Sequence, residues 1–153
     1  MDAKIINSFI GATVNVLSTV ASTSTEIHKP KRKKDQLSKN DVSSVIELSG
    51  NTTGTIVISF TGTCILGIVS AMFGEEMSEL NEEITDAVGE ISNMICGQAT
   101  NKFGEFDATL KAAFSQVVEG KDHPLPHILN SPIISVPIIT DHGEITMEVS
   151  LKG

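Results

Sequence analysis

Nothing in these 153 residues forms a ready-made cofactor cradle. There is no P-loop, no glycine-rich dinucleotide string and no Cys/His ligand set, so no metal, nucleotide or organic cofactor of the chain's own is expected. Cysteine is scarce. Cys64 and Cys96 have no CxxC or ligand spacing and sit among apolar residues, so they read as reduced core thiols rather than nucleophiles. Basic charge is in deficit: 11 Lys and Arg against 19 Asp and Glu leave a formal net charge of -8, which disfavours a nucleic-acid partner. Long uninterrupted apolar runs are missing, so no membrane insertion is expected. The opening Met1-Asp2-Ala3-Lys4 lacks the basic region and apolar run of a secretory signal. Together these absences imply a cytoplasmic protein.

What is present is a globular composition, 40% apolar and 20% charged. A chain of this length is expected to form one domain, residues 1–153, with a core of its own. Ile5, Ile6, Phe9, Ile10, Val14, Leu17 and Val20 recur at helical spacing, which predicts an amphipathic helix over residues 2–21. The polar stretch from Ser22 to Asn40 contains Lys29-Pro30-Lys31-Arg32-Lys33-Lys34, read as an exposed strand end and hairpin loop. Val42–Ser49 and Thr53–Phe60 are rich in β-branched residues and flank Gly50-Asn51-Thr52, which predicts a hairpin. A helix over Thr61–Phe73 stops at Gly74.

Five acids, Glu75, Glu76, Glu79, Glu82 and Glu83, lead into a long helix predicted to begin near residues 78–81 and run to about Lys102, where negative charge complements the N-terminal dipole. They form no closed metal-ligand pattern. Residues 106–118 fit either a helix or a strand ending at Gly120. The loop 121–132 carries His123 and His127 at i, i+4 spacing, but Pro124 and Pro126 forbid the helix that would make them a ligand pair, and they read as satisfied loop histidines. Two closing strands, Ile133–Thr140 and Glu144–Lys152, flank the turn Asp141-His142-Gly143. The sum is α+β: an antiparallel sheet packed with about three helices.

The stretch of most chemical interest is Asp86-Ala87-Val88-Gly89-Glu90-Ile91-Ser92-Asn93. At about 100° per residue, Asp86, Glu90 and Asn93 fall within an arc of roughly 60° on one helix face. Ile84, Val88, Ile91 and Ile95 occupy the opposite, core-facing side. Gly97 continues the polar face without a side chain, despite a helix penalty of about 1 kcal/mol relative to alanine. A flat, partly bare polar face suits close approach by a partner, although spacing alone also fits a solvated amphipathic helix.

The D-x3-E-x2-N string on that helix, in a chain of this element order, resembles the CheC/CheX/FliY family of chemotaxis phosphatases, most nearly its CheX branch. The likeness extends to Ile6-Asn7-Ser8-Phe9, to Asp41–Phe60, to Glu119-Gly120-Lys121-Asp122-His123 and to Glu148-Val149-Ser150-Leu151-Lys152. It implies hydrolysis of the phospho-aspartate of the response regulator CheY, with the phosphoryl group and its divalent cation (Mg) both held by the partner. On the family's pattern Asn93 would orient the attacking water, Glu90 would pair with a lysine of the regulator and Asp86 would support them. An amide can donate to and accept from water without titrating, and phosphoryl transfer through a loose transition state needs positioning above all.

The string occurs once, so one site per chain is expected. The family's proline some twenty-two residues after the motif asparagine is absent, Ser115 and Gln116 occupying that neighbourhood. The resemblance also implies a homodimer joined through its sheet, with the β-rich segments 42–60 and 133–152 expected to offer an edge strand. Two other readings compete: a non-catalytic docking module or sink for a phosphorylated receiver domain, and a structural piece of the flagellar switch. A pure binder need not keep both Glu90 and Asn93.

Overall fold

The structure, a computed structural model, describes residues 3–127 and 131–152. Its elements are α1 (Ala3–Ala21), β1 (Thr25–Ile27), β2 (Lys31–Lys33), β3 (Val42–Ser49), β4 (Thr53–Phe60), α2 (Gly62–Phe73), α3 (Glu82–Phe103), β5 (Lys111–Glu119), β6 (Ile133–Thr140) and β7 (Gly143–Lys152). Among the described residues, three helices and a seven-stranded antiparallel sheet make the α+β architecture that patterning predicted. The predicted helix start at residue 2 and the middle of the predicted loop lie outside the described residues.

Strand order is β1-β6-β7-β4-β3-β5, with β2 also paired to β6. This order corrects one expectation. β3, β4, β6 and β7 each have neighbours on both sides, so the segments 42–60 and 133–152 offer no free edge. The edges are instead β5 on one side and β1 with β2 on the other. β1 and β2 amount to one edge strand interrupted opposite Pro137. His28 N–H donates to Pro137 O at 2.9 Å, but proline has no N–H with which to return the bond. The basic run, read as an exposed strand end and hairpin loop, is in part that strand, with Lys31, Arg32 and Lys33 opposite Ser135, Ile134 and Ile133.

Alternation along each strand separates two different faces. Ile46, Ile56, Ile58, Phe60, Ile145, Met147 and Val149 point toward the helices and join Phe9, Leu17, Ile68, Val88, Ile91 and Phe103 in one core. By length and apolarity alone α1 could cross a membrane, contrary to the reading of the apolar runs as too short. Here its apolar side, Ile5, Phe9, Val16 and Leu17, is buried in that core.

The opposite face of the sheet is covered by loops. Leu125 packs on Val45 and Val57, and two backbone bonds, Ser38 N to His123 O and Leu125 N to Gln36 O, tie the covering segments together. Beneath them lies a polar layer. Ser43 Oγ meets both Ser59 Oγ and His123 Nε2 at 2.6 Å. His127 Nδ1 meets Thr55 Oγ1 at 2.6 Å, and its Nε2 meets Glu148 Oε1 at 3.1 Å. Lys33 Nζ completes the set at 2.7 Å from Glu148 Oε2. Both histidines are buried and fully partnered, as read from the sequence, because a buried polar group without a partner is costly.

Cys64 and Cys96 are buried free thiols. Burial pushes Cys96 up to about 11. It moves Cys64 in the same direction, against a smaller opposing pull from the Thr140 hydroxyl. Because the thiolate is the reactive form, raised values mean less of it at pH 8. The native protein is therefore expected to leave a colourimetric thiol reagent unreacted for minutes at pH 8, and to consume two equivalents once unfolded in guanidinium. Rapid native labelling of either cysteine would contradict this.

Candidate functional site

The long helix α3 is held at three points. Asn81 caps its N-terminus, its side chain accepting from Ile84 N–H at 3.3 Å. Glu82 and Glu83 stand in the first turn and Lys102 in the last, each matched to the dipole. In the middle, buried Ser92 bonds Val88 O at 2.7 Å and the hydroxyl of Ser44 on β3. That cross-link fixes the rotation of α3 about its axis at the residue next to Asn93. Gly89 allows the close approach of β5, since a Cβ there would lie 3.3 Å from the Phe114 ring.

Ile84, Val88, Ile91 and Ile95 are buried, while Asp86, Glu90, Asn93 and Gly97 are exposed, so the helix presents the face expected of it. Glu90 and Asn93 stand about 4.5 Å apart along the axis at a rise of about 1.5 Å per residue. They border an open groove of about 570 Å³ between α3 and β5. From α3 come Thr85, Asp86, Gly89, Glu90 and Asn93; from β5 come Phe114, Gln116, Val117 and Glu119. Gly97 lies one turn beyond Asn93, outside the groove, with open space where a Cβ would project.

Asp86, Glu90 and Glu119 contribute three carboxylates to this groove, and among the described residues no lysine or arginine lines it. Among the described residues, the side chains of Asp86, Glu90, Asn93, Gln116 and Glu119 make no hydrogen bond or ion pair within the chain. Nor do any three His, Cys, Asp or Glu side chains among the described residues converge as a metal cluster. Among the described residues no serine or cysteine lines the groove, and Cys96 is buried behind the exposed face. What it offers is an amide and carboxylates on a rigid helix, open to a cationic partner surface.

Sequence reasoning located the α3 wall but missed the β5 wall. The one signal for it was the Ser115-Gln116 pair, noted as a departure from the family pattern. The Ser92–Ser44 cross-link left no sequence signal at all, since a serine inside an amphipathic helix is commonplace.

An antiparallel sheet with helices on one face and an open polar groove between one helix and the edge strand β5 defines an α+β protein whose candidate site lies on an exposed helix face. A family model described as chemotaxis phosphatase CheX matches residues 42–139, and the chain belongs to that family. It is 29% identical over 155 residues to a curated protein of Thermotoga maritima named CheY-P phosphatase CheX, spanning 100% of this chain and 99% of that one. Among solved structures, it is 36% identical to a CheC-like superfamily protein from Shewanella sp. PV-4, with full coverage of both chains and a TM-score of 0.91. The fold is shared, at 20% identity, 97% coverage of both chains and a TM-score of 0.75, with a structure described as the CheX–CheY–BeF3–Mg complex from Borrelia burgdorferi.

Proposed function

We propose that this chain, as a single CheX-like domain in the cytoplasm, dephosphorylates a phosphorylated CheY-like response regulator by inserting Glu90 and Asn93 into the regulator's active site. The observation that carries the reading is the pairing of Glu90 and Asn93, exposed and unpartnered, one turn apart on a helix whose rotation is fixed from beneath. Asn93 places the attacking water in line with phosphorus. It can hold that water at neutral pH without a proton of its own to lose. Glu90 pairs with a cation of the regulator and anchors the docked geometry. Asp86, further along the same face, supports docking, and bare Gly97 lets the partner approach the helix closely.

The chain brings no cofactor to this chemistry. The phospho-aspartate and its Mg ion are the regulator's, in keeping with the composition named for the Borrelia complex. The direct test is phosphate release from a phosphorylated CheY-like receiver, with and without the protein. Acceleration supports the phosphatase; tight binding without acceleration would make the domain a sink instead. Glu90→Ala is expected to weaken affinity for a beryllofluoride-activated receiver by about ten- to hundredfold, equivalent to about 1–3 kcal/mol for a desolvated charge pair, and to lower the rate as well. Unchanged affinity in this variant would remove Glu90 from the interface.

The assembly we propose is a homodimer joined through one of the two sheet edges, β5 or β1 with β2, each of which leaves backbone groups unpaired. Light scattering at tens of micromolar is expected to give about twice the 16.3 kDa chain mass. A species of 16.3 kDa alone would refute it.

A further inference from the structure

Two hydroxyls lie where the packing of α3 on the sheet is otherwise apolar. Ser44 on β3 and Ser92 on α3 are both buried, the first between Val42 and Ile46 on its strand face, the second beside Val88 and Ile95 on its helix. Proton count fixes how they bond, because a hydroxyl has one hydrogen to give. Ser92 donates its own to Val88 O, so in the contact between the two side chains Ser44 donates to Ser92 Oγ. Ser44 stands in the ladder between Ile58 on β4 and Val117 on β5. β5 slips by one residue at Ser115, between the pairs Phe114–Ile46 and Gln116–Val45, and beyond the slip Val117 is the residue beside Ser44 on the α3 side. Val117 lines the groove, and Asn93 follows Ser92 in the chain. One hydrogen bond thus joins the strand row that ends in one wall of the groove to the helix residue adjoining Asn93 in the other.

Apolar burial holds α3 on the sheet but is non-directional, so by itself it tolerates a small roll of the helix. A hydrogen bond tolerates much less, since it weakens steeply as its angle departs from linear. We infer that Ser44 and Ser92 are positioning residues for the phosphatase reaction: the bond between them sets the roll of α3 against β5 within the tolerance Asn93 needs to place water. The inference rests on the phosphatase reading above and deepens it, adding a pair that acts on the reaction without touching the regulator. Asn93 and Glu90 depend on that pair unequally. In-line attack suffers up to a hundredfold from a misplacement of about 1 Å. An ion pair from Glu90 to a flexible cationic side chain follows a small roll at little cost. The bond therefore governs turnover more than docking.

The test compares Ser44→Ala, Ser92→Ala and the double variant with the unaltered protein, using a phosphorylated receiver for kinetics, a beryllofluoride-activated one for binding, and thermal melts. All three variants are expected to lose about tenfold in kcat per folded molecule, with KM and Kd within about threefold. The losses should be equal and should not multiply, because one bond broken from either end, or from both, is the same loss. Stability should follow a different order. Ser44→Ala strands no hydrogen, since Ser92 still bonds Val88 O, and should melt within about 4 °C of the unaltered protein. Ser92→Ala leaves the buried Ser44 hydroxyl without its acceptor and should melt lower, and the double variant should recover part of that loss. Normal kcat in Ser44→Ala, in an active protein, overturns the positioning role and leaves the phosphatase reading standing. A kcat loss confined to Ser92→Ala, or one that follows the melting temperatures, overturns it too, as does a rise in KM and Kd with kcat intact. If the unaltered protein neither binds nor dephosphorylates the receiver, the phosphatase reading fails and takes this inference with it.

Discussion

Asn93→Ala is expected to lower the accelerated rate of receiver dephosphorylation by a hundredfold or more, with the fold intact. A group whose task is to hold a water in line contributes through orientation, and misplacing a reactant by about 1 Å can cost a hundredfold. The side chain is exposed and unpartnered, so its removal opens no cavity and breaks no bond. Alanine is the better helix former, so stability should hold or rise by a few tenths of a kcal/mol. Affinity for a beryllofluoride-activated receiver should change little, which separates this variant from Glu90→Ala. The measurements are phosphate release and a binding isotherm on the same preparation. Normal turnover in Asn93→Ala would remove the water-positioning role and leave α3 a docking face.

Glu148→Ala is expected to lower the melting temperature by roughly 6–12 °C while leaving turnover per folded molecule unchanged. Glu148 is almost wholly buried and takes Lys33 on one carboxylate oxygen and His127 on the other. Breaking a buried pair by removing one member typically costs about 3–5 kcal/mol, because the remaining charge is stranded. The Lys33 side chain keeps 18% exposure and a second carboxylate, Asp35, at 3.7 Å, which places the loss near the lower end. About 2–4 °C per kcal/mol in a chain of this size gives the stated drop. Glu148→Gln, which keeps an oxygen for the histidine, should fall between. The network lies on the face of the sheet opposite α3, so the groove should be untouched. A melting temperature within about 2 °C of the unaltered protein would show that the network contributes nothing net.

Local pattern made most elements legible. α1, the β3–β4 hairpin, α2, α3 and the β6–β7 hairpin follow from helical or alternating spacing and from Gly74, Gly50 and Gly143, which take positive φ where the chain must turn. β5 stayed ambiguous because residues 106–118 satisfy both periods, and it is a strand only because β3 pairs with it. β1 and β2, three residues each and largely polar, carry no strand signal of their own and exist by pairing with β6. Sheet order was the real blind spot. The segments expected at an edge are interior, since which strand sits beside which depends on contacts between residues tens of positions apart. The site divided in the same way. Glu90 and Asn93 were visible because one helix sets their spacing, whereas the opposite wall needed both the β3–β5 register and its slip at Ser115.

The pairing of β1 and β2 with β6 also bears on how the chain comes to be folded during its synthesis. Thr25 pairs with Thr140 and Lys33 with Ile133, so these early residues have no partner strand until a hundred or more later ones have been made. At roughly 5–20 residues per second, that is a wait of about 5–20 s with open backbone groups. The basic residues of β2 fit such a wait. Like charge on a strand that must stay single discourages it from pairing with the same strand on another nascent chain, the role that lysine commonly plays at sheet edges. On this reading the lysines keep the ribosome-bound chain from aggregating before β6 arrives.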